Sequence, residues 1–148
     1  MVTPPLKGIH HIKFAVSNLD RSLKFYEEVF NARRIKEADH KRADGSIYAH
    51  ILAIPGLETL LELRFNPEQA EKHRLFDTLT IAVENRAALE QWENKLDALN
   101  APHSPILVAI QAWLIVIEDP DQHRLRLYTL ETHGPEMKPD ESSAWLQN

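Results

Sequence analysis

The stretch HIKFAVSNLDRSLKFYEEVF, His11–Phe30, decides the fold because it occurs twice. With one gap it lies over TLTIAVENRAALEQWENKL, Thr78–Leu96. In each copy an alternating run passes into an amphipathic one. Ile12, Phe14 and Val16 fall on one face of a strand, opposite His11, Lys13 and Ala15, the period of two of a half-buried strand. Ser17-Asn18-Leu19-Asp20 then supplies N-cap side chains. Leu23, Tyr26, Val29 and Phe30 recur at helical spacing, which predicts a helix over Arg21–Phe30. In the second copy Leu79, Ile81 and Val83 oppose Thr78, Thr80 and Ala82. Asn85–Leu99 reads as a helix with Leu89, Trp92, Leu96 and Leu99 inward. Downstream, LLELRF at Leu60–Phe65 lies over RLRLYT at Arg124–Thr129. The period is about 65 residues, and self-similarity at a fixed period carries more information than any single motif.

The remaining segments complete the repeat. After the first helix, strands are predicted at Arg33–Ala38, Ser46–Ile54 and Thr59–Phe65, with a turn at Asp44-Gly45 and a break at Pro55-Gly56. The second half offers His103–Leu107, Trp113–Ile117, a turn at Asp119–Gln122, and Arg124–Thr129. Each half is therefore β-α-β-β-β, and the fold class is α+β. The predicted organisation is an arm at 1–8, a first βαβββ module at 9–66, a linker at 67–72, a second module at 73–130 and a tail at 131–148. Pro, Glu and Ser dominate that tail, with Trp145 and Leu146 as an apolar anchor.

Composition removes several classes of function. The chain has 148 residues, 43% hydrophobic and 26% charged, ordinary globular values. Its net charge of −5 gives no global attraction for nucleic acid or an anionic membrane. The absence of cysteine excludes disulfide scaffolds, thiolate zinc sites, iron–sulfur clusters and cysteine nucleophiles. The apolar runs Ile47–Leu57 and Ile106–Ile117 are broken by His50, Pro55 and Gln111, well short of the roughly 20 residues of a membrane span. No signal-peptide pattern is read at the N-terminus, so a cytoplasmic location is expected. Four glycines form no phosphate-cradling loop, and no serine has a nucleophile-elbow context. Eight histidines are the one unusual count.

The order and spacing of GIHHIKFAVSNLDRSLKFYEEVF, the ELRF strand, NAPHSPI and DPDQHRLRLY resemble the vicinal oxygen chelate superfamily. That group includes glyoxalase I, extradiol dioxygenases, fosfomycin resistance proteins and bleomycin resistance proteins. The resemblance covers about residues 8–130. It implies paired βαβββ modules whose curled mixed sheets surround a cavity. His11, Lys13, Glu62, Arg64, Thr78, Thr80, Arg124, Arg126 and Tyr128 would then face that cavity. Metal-using members place ligands on the first and last strands of each module. Carried over residue by residue, this assigns His11 and Glu62 as ligands for Zn, Ni, Mn or Fe, with Glu62 also a general base. The other two positions hold Thr78 and Arg126, and arginine cannot ligate a cation. The metal set is thus incomplete unless another histidine joins it, and His50 on a neighbouring strand is the first choice.

Three function readings stay open. One is a metal-dependent lyase, isomerase or dioxygenase. A second is a metal-free sequestering protein of the resistance type. A third is a metal-free enzyme in which Arg126 supplies the positive charge. The preferred ligand is a small, anionic, oxygenated molecule held by Arg126, Thr78, Lys13, His50 and Tyr128. The bland alternatives are a buried Glu62–Arg126 ion pair and solvated histidines at His40, His73, His103, His123 and His133. A homodimer is expected.

Overall fold

The computed structural model describes residues 1–147. It divides into two compact units, Met1–Pro67 and a second that begins at Glu68. Each is a helix packed on one face of a curled mixed sheet.

The first unit contains β1 (His11–Val16), α1 (Leu19–Phe30), β2 (Arg33–Arg34), β3 (His40–Lys41), β4 (Ile47–Ala53) and β5 (Leu60–Phe65). The sheet order is β1-β5-β4-β2, with β3 also pairing β4; β1 runs parallel to β5 and the other pairs are antiparallel. Asn18 caps α1, its Oδ1 accepting from the Arg21 amide at 2.9 Å. Asn31 ends the helix in the left-handed region. Tyr26, Val29 and Phe30 are buried with Phe14, Leu52, Leu61 and Leu63 of the sheet. The strand predicted at Arg33–Ala38 is only two residues long and gives way to a 3-10 turn at Lys36–Ala38. That turn brings Asp39 within reach of Arg34 and His50, and the ion pairs hold it there. Phe65, on the same strand phase as the buried Leu61 and Leu63, is 43% exposed at the last rung of the β1–β5 ladder.

A short helix, α2 (Pro67–Lys72), forms where a linker was expected, with proline at the first position where its missing N–H costs nothing. Then come β6 (Asp77–Val83), α3 (Arg86–Ala98), β7 (Leu107–Val108), β8 (Trp113–Glu118) and β9 (Arg124–Thr129). The order β6-β9-β8-β7, with β6 parallel to β9, repeats the plan of the first sheet. Asn85 caps α3 through the Ala88 amide at 2.9 Å. Leu89 and Leu96 are fully buried, but Leu99 is exposed at the helix end instead of pointing inward. His103–Leu107 is not a continuous strand: one bridge joins His103 to Ile117, and β7 starts at Leu107. Pro105 lies between them and has no N–H for a ladder.

The C-terminal tail folds back on its own module. The Asp140 amide donates to the Val108 carbonyl at 2.9 Å, and Val108 N–H returns a bond to Asp140 Oδ2 at 2.7 Å. Trp145, Leu146 and Tyr128 pack against Leu107, Ala109, Leu114 and Val116. Among the described residues, no helix is long and apolar enough to cross a membrane.

Candidate functional site

In the first sheet the helix covers one face, and the other carries a charged cluster. The ladder sets Lys13 opposite Glu62 and Ala15 opposite Arg64 across the parallel pair, with Ile51 and Ala49 flanking them on β4. Glu62 is only 1% exposed. An isolated carboxylate so deeply buried would be strongly disfavoured, and four basic side chains surround this one. Arg64 Nε donates to its Oε2 at 2.8 Å, and Lys13 Nζ lies 3.8 Å from the same oxygen. His11 Nε2 and His40 Nδ1 approach Oε1 at 3.7 and 3.5 Å. His40, expected to be a solvated loop residue, reaches Glu62 because β3 adds to the sheet edge. Arg64 in turn lies over the Tyr48 ring at 5.3 Å.

This donor set does not fit a resident divalent metal within the unit. One oxygen of Glu62 already accepts from a guanidinium, with an ammonium beside it, so an ion would sit next to two fixed cations. No group of three or more His, Asp or Glu side chains among the described residues is arranged to hold an ion.

His50 does not belong to this face. It pairs with Leu63, so the period of two directs it to the helix side, where it is 3% exposed. Its Nδ1 lies 3.0 Å from Asp39 Oδ1, and Arg34 Nε donates to the same oxygen at 3.1 Å. Burial alone would raise the Asp39 carboxyl, but the bonds from Arg34 and His50 bring it below its ordinary value. His50 lines an open pocket of about 400 Å³ with Ser17, Asp20 and Arg34. It is therefore neither the third metal ligand nor a neighbour of Lys13.

The face of the second sheet turned away from α3 is largely apolar, and the tail covers part of it. Thr80, Arg126 and Val116 share one rung, and Ala82, Tyr128 and Leu114 the next. Thr78 is the extra residue of a bulge between Asp77 and Leu79 and points to solvent. Arg126 Nε lies against the Asp77 carboxylate in an ion pair without hydrogen-bond geometry. Within its own unit each of the two charges has a local partner, Glu62 with Arg64 and Arg126 with Asp77. Arg124 is withdrawn too: Glu118 holds it at 3.1 Å and the Trp145 ring covers it at 4.9 Å. Arg126 and Tyr128 line a pocket of about 300 Å³ with Leu114 and, from the tail, Glu141 and Leu146. Sequence reading missed Asp77 and the tail's share of this pocket; the acid heading β6, beside the strand bearing Arg126, was the available signal.

Two βαβββ units with these sheet orders define a recognised class. The model of the Glyoxalase/Bleomycin resistance protein/Dioxygenase superfamily matches residues 8–127, and the chain belongs to that superfamily. It is 24% identical over 127 residues to "Putative ring-cleaving dioxygenase MhqA" of Bacillus subtilis (strain 168), covering 82% of this chain and 40% of that protein. The chain thus spans about two fifths of that relative's length. Among solved structures, a glyoxylase/bleomycin resistance protein/dioxygenase domain from Frankia sp. EAN1pec superposes with a TM-score of 0.66 at 23% identity, covering 84% of this chain and 98% of that one. The fosfomycin resistance protein FosX of Listeria monocytogenes gives 0.67 at 18% identity, covering 84% and 91%. A mutant FosX complexed with Mn(II) and 1S,2S-dihydroxypropylphosphonic acid gives 0.67 at 18%, covering 84% and 93%.

Proposed function

We propose that this superfamily member binds a small, anionic, oxygenated molecule on the face of its second sheet turned away from α3, with Arg126 as the main contact. The observation that carries this reading is the Arg126 guanidinium on the wall of the 300 Å³ pocket beside Tyr128. Asp77 engages its Nε edge. The terminal nitrogens of this paired guanidinium make no hydrogen bond to the protein among the described residues, which leaves their N–H groups to grip a carboxylate in the planar two-point manner that lysine cannot match.

Replacing Arg126 with Gln tests this. Loss of a charge-assisted hydrogen bond weakens carboxylate binding by roughly ten- to a hundredfold. Unchanged affinity, measured by titration calorimetry, overturns the reading. Turnover of a bound molecule separates an enzyme from a sequestering protein. The homodimer is also a proposal. The tail anchor is already occupied on its own module, so the support now comes from the exposed apolar side chains Ile9, Phe76, Ile110 and Leu130. A concentration-independent monomer mass in solution scattering overturns it.

A further inference from the structure

We propose that His50 is the hydrogen-bond acceptor of a second binding site, confined to the first module, for a small molecule that presents an un-ionised hydroxyl. The site is the open pocket of about 400 Å³ beside the start of α1, lined by Ser17, Asp20, Arg34, Ile47 and Phe65 as well as His50. It owes nothing to the Arg126 pocket, and the two readings stand or fall separately.

One ring nitrogen marks this pocket. His50 is 3% exposed, and its Nδ1 meets the Asp39 carboxylate at 3.0 Å. Arg34 grips that carboxylate through Nε, at 3.1 Å, and through a terminal nitrogen. A carboxylate only accepts, so Nδ1 carries the ring proton and Nε2 keeps its lone pair. Nε2 has no hydrogen-bond partner among the described residues, and it is not among the atoms sealed from solvent without one. His50 lines the pocket, so the lone pair opens into it. A histidine that only tied β4 to the turn before β3 would need Nδ1 alone.

The rest of the lining favours a proton donor over an anion. The charge of Arg34 is matched by Asp39, which leaves Asp20 as the other charge in the lining, and a negative ligand is repelled by it. Ser17 Oγ and Asn18 Oδ1 already accept from Arg21, at 2.8 and 2.9 Å. Ile47 and the part-exposed Phe65 give the ligand's carbon skeleton an apolar surface.

Phenol and anisole are the probes, added to the whole chain; the methyl ether keeps the ring and lacks the O–H. Ring-nitrogen NMR of histidine-labelled protein, held well above the ordinary imidazole pKa of about 6.5, should show His50 with its proton on Nδ1. Phenol should shift the Nε2 resonance and anisole should not. Phenol should also bind roughly three- to tenfold more tightly than anisole, the worth of one neutral hydrogen bond. His50→Phe keeps a ring in place, leaves Asp39 to Arg34, and should abolish that preference. A proton on Nε2, an Nε2 resonance that phenol leaves unmoved, or equal affinity for the two probes overturns the site on the wild-type protein alone, whether or not the variant folds. A preference for phenol that survives His50→Phe overturns it as well, because the O–H then has its partner elsewhere.

Discussion

The two modules share one plan and use the sheet face turned away from the helix in opposite ways. Glu62 of β5 and Arg126 of β9 occupy the same place in the repeat, each on the strand parallel to the first strand of its module. In the first module that place holds a buried carboxylate ringed by Lys13, Arg64, His11 and His40. In the second it holds an arginine paired with Asp77, and the apolar rungs beside it lie under the chain's own tail. The helix-facing halves stay alike because both must bury leucine and isoleucine against a helix. The opposite halves are released from that demand, so charge and cover diverge there.

The most damaging way to break this contrast is to remove the cation closest to the buried acid. Arg64→Gln strands a carboxylate that is 1% exposed. Because Arg64 is itself about one-third exposed and Lys13 remains, the cost is discounted to about 2–3 kcal/mol. Arg126→Gln in the second module should cost about 1 kcal/mol or less, since Asp77 lies nearer solvent. Urea melts of the two variants test the ordering, and equal costs would mean that the modules' charges are equivalent after all.

Next in size is the tail. Trp145→Ala removes a half-buried indole and its contact with Arg124 and should cost about 1–2 kcal/mol. The loss should appear as faster amide exchange in β7 and β8, with the first module unaffected. Equal exchange changes in both modules would contradict a tail that stabilises the module it packs on.

Sequence carried the repeated half of this comparison and little of the divergent half. Strand phases and the two asparagine caps were readable because they are local: Asn18 and Asn85 bond backbone amides three residues away. Register was not readable. Alternation alone cannot say that His50 pairs with Leu63 and not with a residue one step along, and that single step decides which face it occupies. His40 reaches Glu62 through a two-residue strand with an irregular ladder, too short to leave a pattern. Asp77 meets Arg126 beside a bulge, and Asp140 meets Val108 across a chain separation of 32 residues. Each missed partner is a long-range contact whose residues look unremarkable in their own segments.

Acid should separate the modules by pH. His123 is fully buried in the second module, and burial pushes its pKa below the ordinary 6.5 despite the opposing pull of Asp119. The unfolded chain then binds a proton that the native state refuses. The stability His123 supports is fully present above pH 6.5 and falls as pH drops toward the lower native value, by at most about 1.4 kcal/mol per pH unit. Asp39 in the first module is depressed below 3.8, so its contribution is fully present above pH 3.8 and is lost only as pH falls from there through the lower native value. Amide exchange followed from pH 7.5 to 5 should show the second module loosening while the first holds, and His123→Gln should flatten the slope. Simultaneous loosening of both modules contradicts this.

The smallest expected effect is that of a chelator, and it bears on the first module alone. A metal that binds only the native state raises stability in proportion to its occupancy, so stripping it lowers the melting temperature. At Glu62 an incoming divalent ion must displace the Arg64 guanidinium from Oε2 and remain beside Lys13. Both cations are fixed by the ladder, which sets Lys13 opposite Glu62 and Arg64 two residues beyond it on the same face. The repulsion acts at close range next to a buried group, where water screens it poorly. Purified protein should therefore carry well under one equivalent of Zn, Ni, Mn or Fe, and EDTA should leave its melting temperature unchanged. The double variant Lys13→Met, Arg64→Met removes the competing charge and leaves His11, His40 and Glu62 in place. If cation competition is what excludes the ion, this variant should gain a metal-dependent rise in melting temperature that the wild type lacks. A stoichiometric metal in the wild type, lost together with stability on chelation, would show that the Glu62 cluster rearranges around an ion and that the two modules differ less than their side chains suggest.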